Sequence, residues 1–150
     1  MKFLLEDEKS TQELAQTLAE ALGESPRLKR ARVVTLSGEL GAGKTTFAQA
    51  FGLAFGVKRK LLSPTFALRT IYKTKSKKYN TLEHYDWYRI DGVKELRALG
   101  WEEAMKDPKR ILIVEWPERA RRAIPKIHTR VKLAHTKGNG RSVTIQFYGE

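Results

Sequence analysis

Residues 32–46 read Arg32-Val33-Val34-Thr35-Leu36-Ser37-Gly38-Glu39-Leu40-Gly41-Ala42-Gly43-Lys44-Thr45-Thr46. Arg32 to Ser37 is a β-branched apolar run that predicts a buried strand, and Thr45 to Phe55 has helical spacing that stops at Gly56. Between them, Gly38 to Thr45 fits a Gly, four variable residues, then Gly-Lys-Ser/Thr. Strand, glycine-rich turn and helix in that order gather free N–H groups and the positive end of a helix dipole around one point, which favours an anion. A nucleoside triphosphate suits this chemistry. Turn amides face its β-phosphate, Lys44 reaches the β/γ oxygens, and the Thr45 hydroxyl takes one position on Mg²⁺. Gly38, Gly41, Ala42, Gly43, Lys44, Thr45 and Thr46 are the predicted nucleotide contacts. An ordinary glycine-rich βα turn has the same outline, so the remaining ligands must come from elsewhere in the chain.

Ile111-Leu112-Ile113-Val114 is the next most continuous apolar run, and it ends in Glu115-Trp116-Pro117-Glu118. A strand apolar along its whole length is buried on both faces, as in the middle of a parallel sheet. A carboxylate at its carboxyl end then emerges beside the phosphate turn, where it can hold Mg²⁺ or a water. Glu115 is therefore a predicted catalytic and metal-binding residue, with Glu in place of the more usual Asp. Trp116 either closes the site or packs. His84-Tyr85-Asp86-Trp87-Tyr88-Arg89 sets one carboxylate among polar aromatics. Asp86 is predicted to approach the metal directly or through water, with His84 and Arg89 orienting it, and the other reading is a buried polar network tying a hairpin to the core. In Ser63-Pro64-Thr65-Phe66, Thr65 is either a turn former or a switch hydroxyl that senses the γ-phosphate.

The other segments are covering structure. Lys2-Phe3-Leu4-Leu5 predicts a first strand, and Ser10-Thr11-Gln12-Glu13 has capping-box spacing for a helix whose face is Leu14, Ala15, Leu18, Ala19 and Leu22. Ala67 to Tyr72 and Tyr79 to Leu82 predict a hairpin, with two short helical pieces then broken at Gly100. Thr129 to Ala134 and Val143 to Phe147 alternate around Lys137-Gly138-Asn139-Gly140, a second hairpin. The expected fold is an α/β, three-layer P-loop NTPase fold with a mainly parallel central sheet and an antiparallel edge ribbon, one domain over residues 1–150.

With no cysteine the chain has neither a disulfide framework nor a thiolate metal site. No apolar run approaches the ~18 residues of a membrane span, and acidic residues follow too closely on Met1 for a signal peptide. A soluble, cytoplasmic protein with no membrane partner is expected. The formal net charge of +12 is the unusual global feature. Between Glu39 and Glu83 there is no acidic residue, whereas Lys58, Arg59, Lys60, Arg69, Lys73, Lys75, Lys77 and Lys78 are basic. That surface is either a contact for RNA or an RNA-bound complex, or a solvated basic face.

The ordered set GELGAGKTT, SPTF, HYDWYR, Glu95-Leu96, Leu99-Gly100 and IVEWPE resembles the TsaE family, also called YjeE, of small bacterial P-loop ATPases. The resemblance covers nearly the whole chain. It implies ATP and Mg²⁺ as cofactors, and a role in making threonylcarbamoyladenosine on ANN-decoding tRNAs by binding the TsaB–TsaD heterodimer, through which tRNA is met. It implies phosphate and Mg²⁺ contacts for Lys44 and Thr45, essential roles for Glu115 and Asp86, and additional nucleotide contacts at Thr11 and Arg141. Leu68-Arg69-Thr70 departs from the family's commonly acidic character there. Two other classes share the P-loop: a small-molecule kinase, which needs an acceptor pocket and a lid, and an RNA-binding module that uses ATP structurally.

Overall fold

Seven strands form one sheet in the order β1-β7-β6-β2-β5-β4-β3. The computed structural model describes residues 1–58, 60–62 and 68–149, so Arg59 and the predicted Ser63, Pro64, Thr65 and Phe66 motif lie outside the described residues. Strands are β1 (Lys2–Leu5), β2 (Arg32–Ser37), β3 (Arg69–Lys73), β4 (Thr81–Asp86), β5 (Arg110–Glu115), β6 (His128–His135) and β7 (Arg141–Tyr148). Helices are α1 (Glu8–Glu24), α2 (Lys44–Ala54), α3 (Val93–Ala98) and α4 (Trp101–Lys106), with a 3₁₀ segment at Pro117–Ala123.

The four central strands, β6, β2, β5 and β4, run parallel. Antiparallel neighbours flank them on both sides, β3 beside β4, and β7 with β1 beside β6. Two corrections follow. The antiparallel part occupies both margins instead of one edge ribbon, and β4 is a full member of the parallel core, paired residue for residue with β5 from Thr81 to Asp86. The apolar run of β5 was the better guide to the centre, because hairpin chemistry at residues 73–80 says nothing about what lies on β4's other side.

Side-chain alternation divides the core in two. Val34, Leu36, Ile111, Ile113, Val131, Leu133, Val143 and Ile145 face α1 and α2 in one cluster with Phe47 and Phe51. Val33, Leu112, Val114 and Tyr85 face the other way, against Trp87, Leu96, Trp101 and Ala104. Fully burying each such large apolar side chain contributes about 1.5–3 kcal/mol, which is why strands without polar alternation occupy the centre. The α1 cap also differs from the capping-box expectation. Asp7 is the N-cap, its Oδ1 accepting from the Ser10 amide at 2.8 Å, because the helix begins at Glu8 and places Ser10 in its first turn.

On the α3/α4 side, Glu83 is fully buried. Its carboxylate accepts from Arg69 Nε and from the Tyr85 hydroxyl, both at 2.8 Å, and from Arg110 at 2.5 Å. Burial, and then the Glu83 charge, push the Tyr85 phenol far above its usual range, so it remains a donor. Arg69, read from sequence as part of a basic surface, faces inward. It also donates to the Leu99 carbonyl at 2.7 Å and so ties β3 to the α3–α4 turn. Among the described residues no helix is long and apolar enough to cross a membrane.

Candidate functional site

Because β2, β5 and β4 are parallel and in register, their carboxyl ends lie side by side. Leu36 pairs with Glu115, and Glu115 with Asp86. The glycine-rich turn leaves β2 at this level, so the residues predicted from three distant stretches meet at one end of the sheet, where ligands of open α/β sheets bind.

The turn needs its glycines for two reasons. Gly38, Gly41 and Gly43 have φ of 147°, 77° and 101°. At Gly38 a Cβ would also run into the Leu133 carbonyl. Gly43 is the N-cap of α2 in the left-handed conformation, which leaves the first amides of an eleven-residue helix directed at the turn. Lys44 is buried, and its ammonium donates to the Gly38 carbonyl and, at 3.0 Å, to that of Glu39. It also lies 4.5 Å from the centre of the Trp116 ring. Burial lowers the Lys44 ammonium below the usual lysine range, against the opposing pull of Glu115, Glu118 and Asp86.

The turn is thus an anion cradle whose own lysine is satisfied by backbone oxygens. Thr45 is exposed at its rim, Thr46 is half-buried and Ala42 is buried. Among the described residues no group of three or more His, Asp or Glu could hold a metal alone. A hydroxyl and a carboxylate, as Thr45 and Glu115 offer, are oxygen donors of the kind that would suit Mg²⁺.

Glu115 is buried, and its Oε2 lies 2.7 Å from His84 Nε2, also buried. With Glu115 as carboxylate, His84 donates from Nε2. Among the described residues its Nδ1 has no hydrogen-bond partner. Asp86 is half-buried and its Oδ1 accepts from the Tyr88 amide at 2.9 Å. After Glu115 the chain turns sharply, Trp116 taking φ 58° and ψ 51°, rare for a bulky residue. The Trp116 ring lies 4.9 Å from that of Tyr88, on which Arg119 stacks at 5.3 Å.

A cleft of about 390 Å³ beside the turn is lined by Asp7, Thr11, Thr46, Asn139 and Arg141, among others. It brings together Thr11, Thr46 and Arg141, which sequence had placed on three separate elements. Arg141 donates to the Gly41 carbonyl at 3.3 Å, fastening the phosphate turn to β7.

A family model, "Threonylcarbamoyl adenosine biosynthesis protein TsaE", matches residues 5–143. The chain belongs to the TsaE family. The "tRNA threonylcarbamoyladenosine biosynthesis protein TsaE" of Rickettsia felis is 38% identical over 117 residues, which are 77% of this chain and 62% of that protein. Its counterpart in Rickettsia typhi is 39% identical over 115 residues, 76% and 72% of the two chains. The counterpart in Treponema pallidum is 30% identical over 118 residues, 79% and 84%. The crystal structure of Bacillus subtilis YdiB superposes with a TM-score of 0.78 at 25% identity, covering 99% of this chain and 86% of that one.

Within this TsaE fold, Gly38, Gly41, Ala42, Gly43, Lys44, Thr45, Thr46, Asp86 and Glu115 gather at one end of the sheet, and Thr11 and Arg141 border it. His84 was read only as a neighbour orienting Asp86, and the structure pairs it with Glu115 instead. The signal was faint: a histidine two residues before a strand-end carboxylate shares its side of the strand, but its partner sits 31 positions away on β5. Asn139 and Asp7 carried no sequence signal for this cleft, since a hairpin tip and a helix cap are common uses of both residue types.

Proposed function

We propose that the chain is a Mg²⁺-dependent ATP hydrolase that supports threonylcarbamoyladenosine synthesis on ANN-decoding tRNA by binding a TsaB–TsaD heterodimer, and acts in the cytoplasm. The observation that carries this reading is the convergence of the Gly38–Thr45 turn with the buried Glu115–His84 pair and Asp86 across three registered parallel strands. Family membership supports the process, because the relatives are named for it.

ATP is bound through the turn amides, and Lys44 exchanges its Gly38 and Glu39 carbonyls for phosphate oxygens. Thr11, Thr46 and Arg141 line the space for the nucleoside. Thr45 and Glu115 are the groups that would hold Mg²⁺, and the ion would supply neutralisation of the phosphate charge. Asp86 and Glu115 position the attacking water, and His84 fixes the orientation of the Glu115 carboxylate so that no reorientation is needed as charge develops. Trp116, seated over Lys44, excludes solvent from the phosphates.

The test is ATP turnover by the purified chain, alone and with TsaB–TsaD, with and without Mg²⁺. Turnover that is low alone and rises several-fold with the heterodimer and Mg²⁺ is the expected result. Phosphoryl transfer to a small-molecule acceptor without the heterodimer would make the protein a kinase.

A further inference from the structure

The two faces of the sheet are covered unequally. On β6, Val131 and Leu133 point at α1 and α2, so His128, Arg130 and Lys132 point away from them. On β7, Val143 and Ile145 fix Thr144, Gln146 and Tyr148 to that same outer side, and on β1 Lys2 joins them. The apolar cluster beneath the helices that cover this side draws its strand residues from β2, β5 and β4, and among the described residues none from β1, β6 or β7. Half of one face of the sheet is therefore open, with Lys2, Lys132 and Gln146 exposed on it.

At the border with the 3₁₀ segment the open face dips into a cleft of about 370 Å³, whose wall includes Arg121, Lys126, Arg130, His128, Tyr148 and one carboxylate, Glu118. The rings of His128 and Tyr148 stack there, 4.8 Å apart and 15° from parallel. The Ser37 hydroxyl, also on this wall, has no hydrogen-bond partner among the described residues.

The charges here differ from several arginines elsewhere in the fold. Arg69, Arg110 and Arg97 are paired with Glu83, Asp107 or Glu102. Among the described residues none of Lys2, Arg121, Lys126, Arg130 and Lys132 makes an ion pair. Like charges left unpaired on one surface repel one another; a polyanion neutralises them, and the release of its own counterions adds a favourable entropy.

From this arrangement we infer that the open face of β6, β7 and β1, together with its cleft, binds the phosphate backbone of an RNA strand and stacks one base on Tyr148. Residues i and i+2 on one strand face stand about 6.6 Å apart, so Arg130 and Lys132 present charges in a row that a flexible ribose-phosphate chain can follow. Neighbouring hydroxyl and amide groups, Thr144, Ser37 and Gln146, suit phosphate and 2′-hydroxyl contacts. An open sheet bearing aromatics and cations is a general way of holding unstacked RNA. An acidic protein segment would use the cations but has no need of the stacked aromatic pair. The inference adds a direct RNA contact to any met through the heterodimer. It rests on the proposed function only in taking tRNA as the RNA.

The experiment is fluorescence anisotropy of a labelled, unmodified tRNA transcript with the full chain alone, without nucleotide, between about 50 mM and 200 mM salt. The face variant is Lys126→Ser/Arg130→Ser/Lys132→Ser. Its control is Lys94→Ser/Lys106→Ser/Lys109→Ser, which removes the same charge from α3, α4 and the turn before β5. The face variant should bind about tenfold or more weakly at low salt, and its slope of log affinity against log salt should fall by about 2, or about 0.7 per lost phosphate contact. The control should keep the parent's slope. If the triple variant unfolds, Lys132→Ser alone changes one exposed side chain and should lower the slope by about 0.7.

The inference is overturned if the parent does not bind the transcript, if face variant and control lose affinity equally, or if the face variant binds as the parent does. Retained tRNA affinity with lost TsaB–TsaD association would make the surface a protein interface instead. ATP hydrolysis is measured without RNA, so failure of either reading leaves the other standing.

Discussion

His84 Nε2 stands 2.7 Å from Glu115 Oε2, with both side chains buried at the carboxyl ends of adjacent parallel strands. A carboxylate held by one donor on one oxygen keeps its other oxygen for a metal or a water. On the proposed function, this makes His84 a positioning residue, acting through Glu115.

His84→Ala should lower kcat on the order of ten- to a hundredfold, the range seen when a group that orients a ligand is lost, with KM for ATP little changed. His84→Gln, which can restore a donor, should recover part of the loss. Steady-state ATP hydrolysis with the heterodimer reads both. A change confined to KM, or equal losses in Ala and Gln, would make His84 a packing residue.

Glu115→Gln keeps the shape and a hydrogen-bonding oxygen but removes the charge. Nucleotide affinity should remain within a few-fold of the parent while turnover falls by on the order of a hundredfold or more. Calorimetric titration with ATP, set beside single-turnover hydrolysis, separates the two. If affinity and turnover fell together, Glu115 would be a residue of the fold.

In Lys44→Ala the cation held in the turn is gone, and the Gly38 and Glu39 carbonyls lose their donor. ATP binding and hydrolysis should both drop below detection, while circular dichroism retains the parent's signature because α2 keeps a strong helix former. Parental hydrolysis by this variant would remove the phosphate-turn assignment.

Arg69 is removed from the chemistry but not from stability. Arg69→Ala leaves the buried Glu83 with Arg110 and Tyr85 alone and frees the Leu99 carbonyl, so unfolding in urea should need about 2–4 kcal/mol less. Nucleotide affinity should be unaffected. A variant as stable as the parent would mean that Arg110 and water satisfy Glu83 without Arg69.

Some of this protein was settled by the chain alone. β2, the glycine-rich turn and α2 were legible because each depends on local facts: an unbroken β-branched run, glycines where φ is positive, and helical spacing after the turn. β5 with its terminal Glu115 was legible because a strand buried on both faces cannot hide its composition. The tertiary structure decided what rests on strand order and register. It set β4 beside β5, which brings His84 to Glu115 and Asp86 to the strand ends, and it gathered Thr11, Thr46 and Arg141 around one cleft. It turned Arg69 from an apparent surface charge into the partner of a buried carboxylate. It also left one half of a sheet face bare. Asp86, Thr11, Thr46 and Arg141 had been named as site residues, but the strand pairings that place them could not be read in advance, because pairing between strands far apart in the chain is a sum of many small contacts that no single segment records.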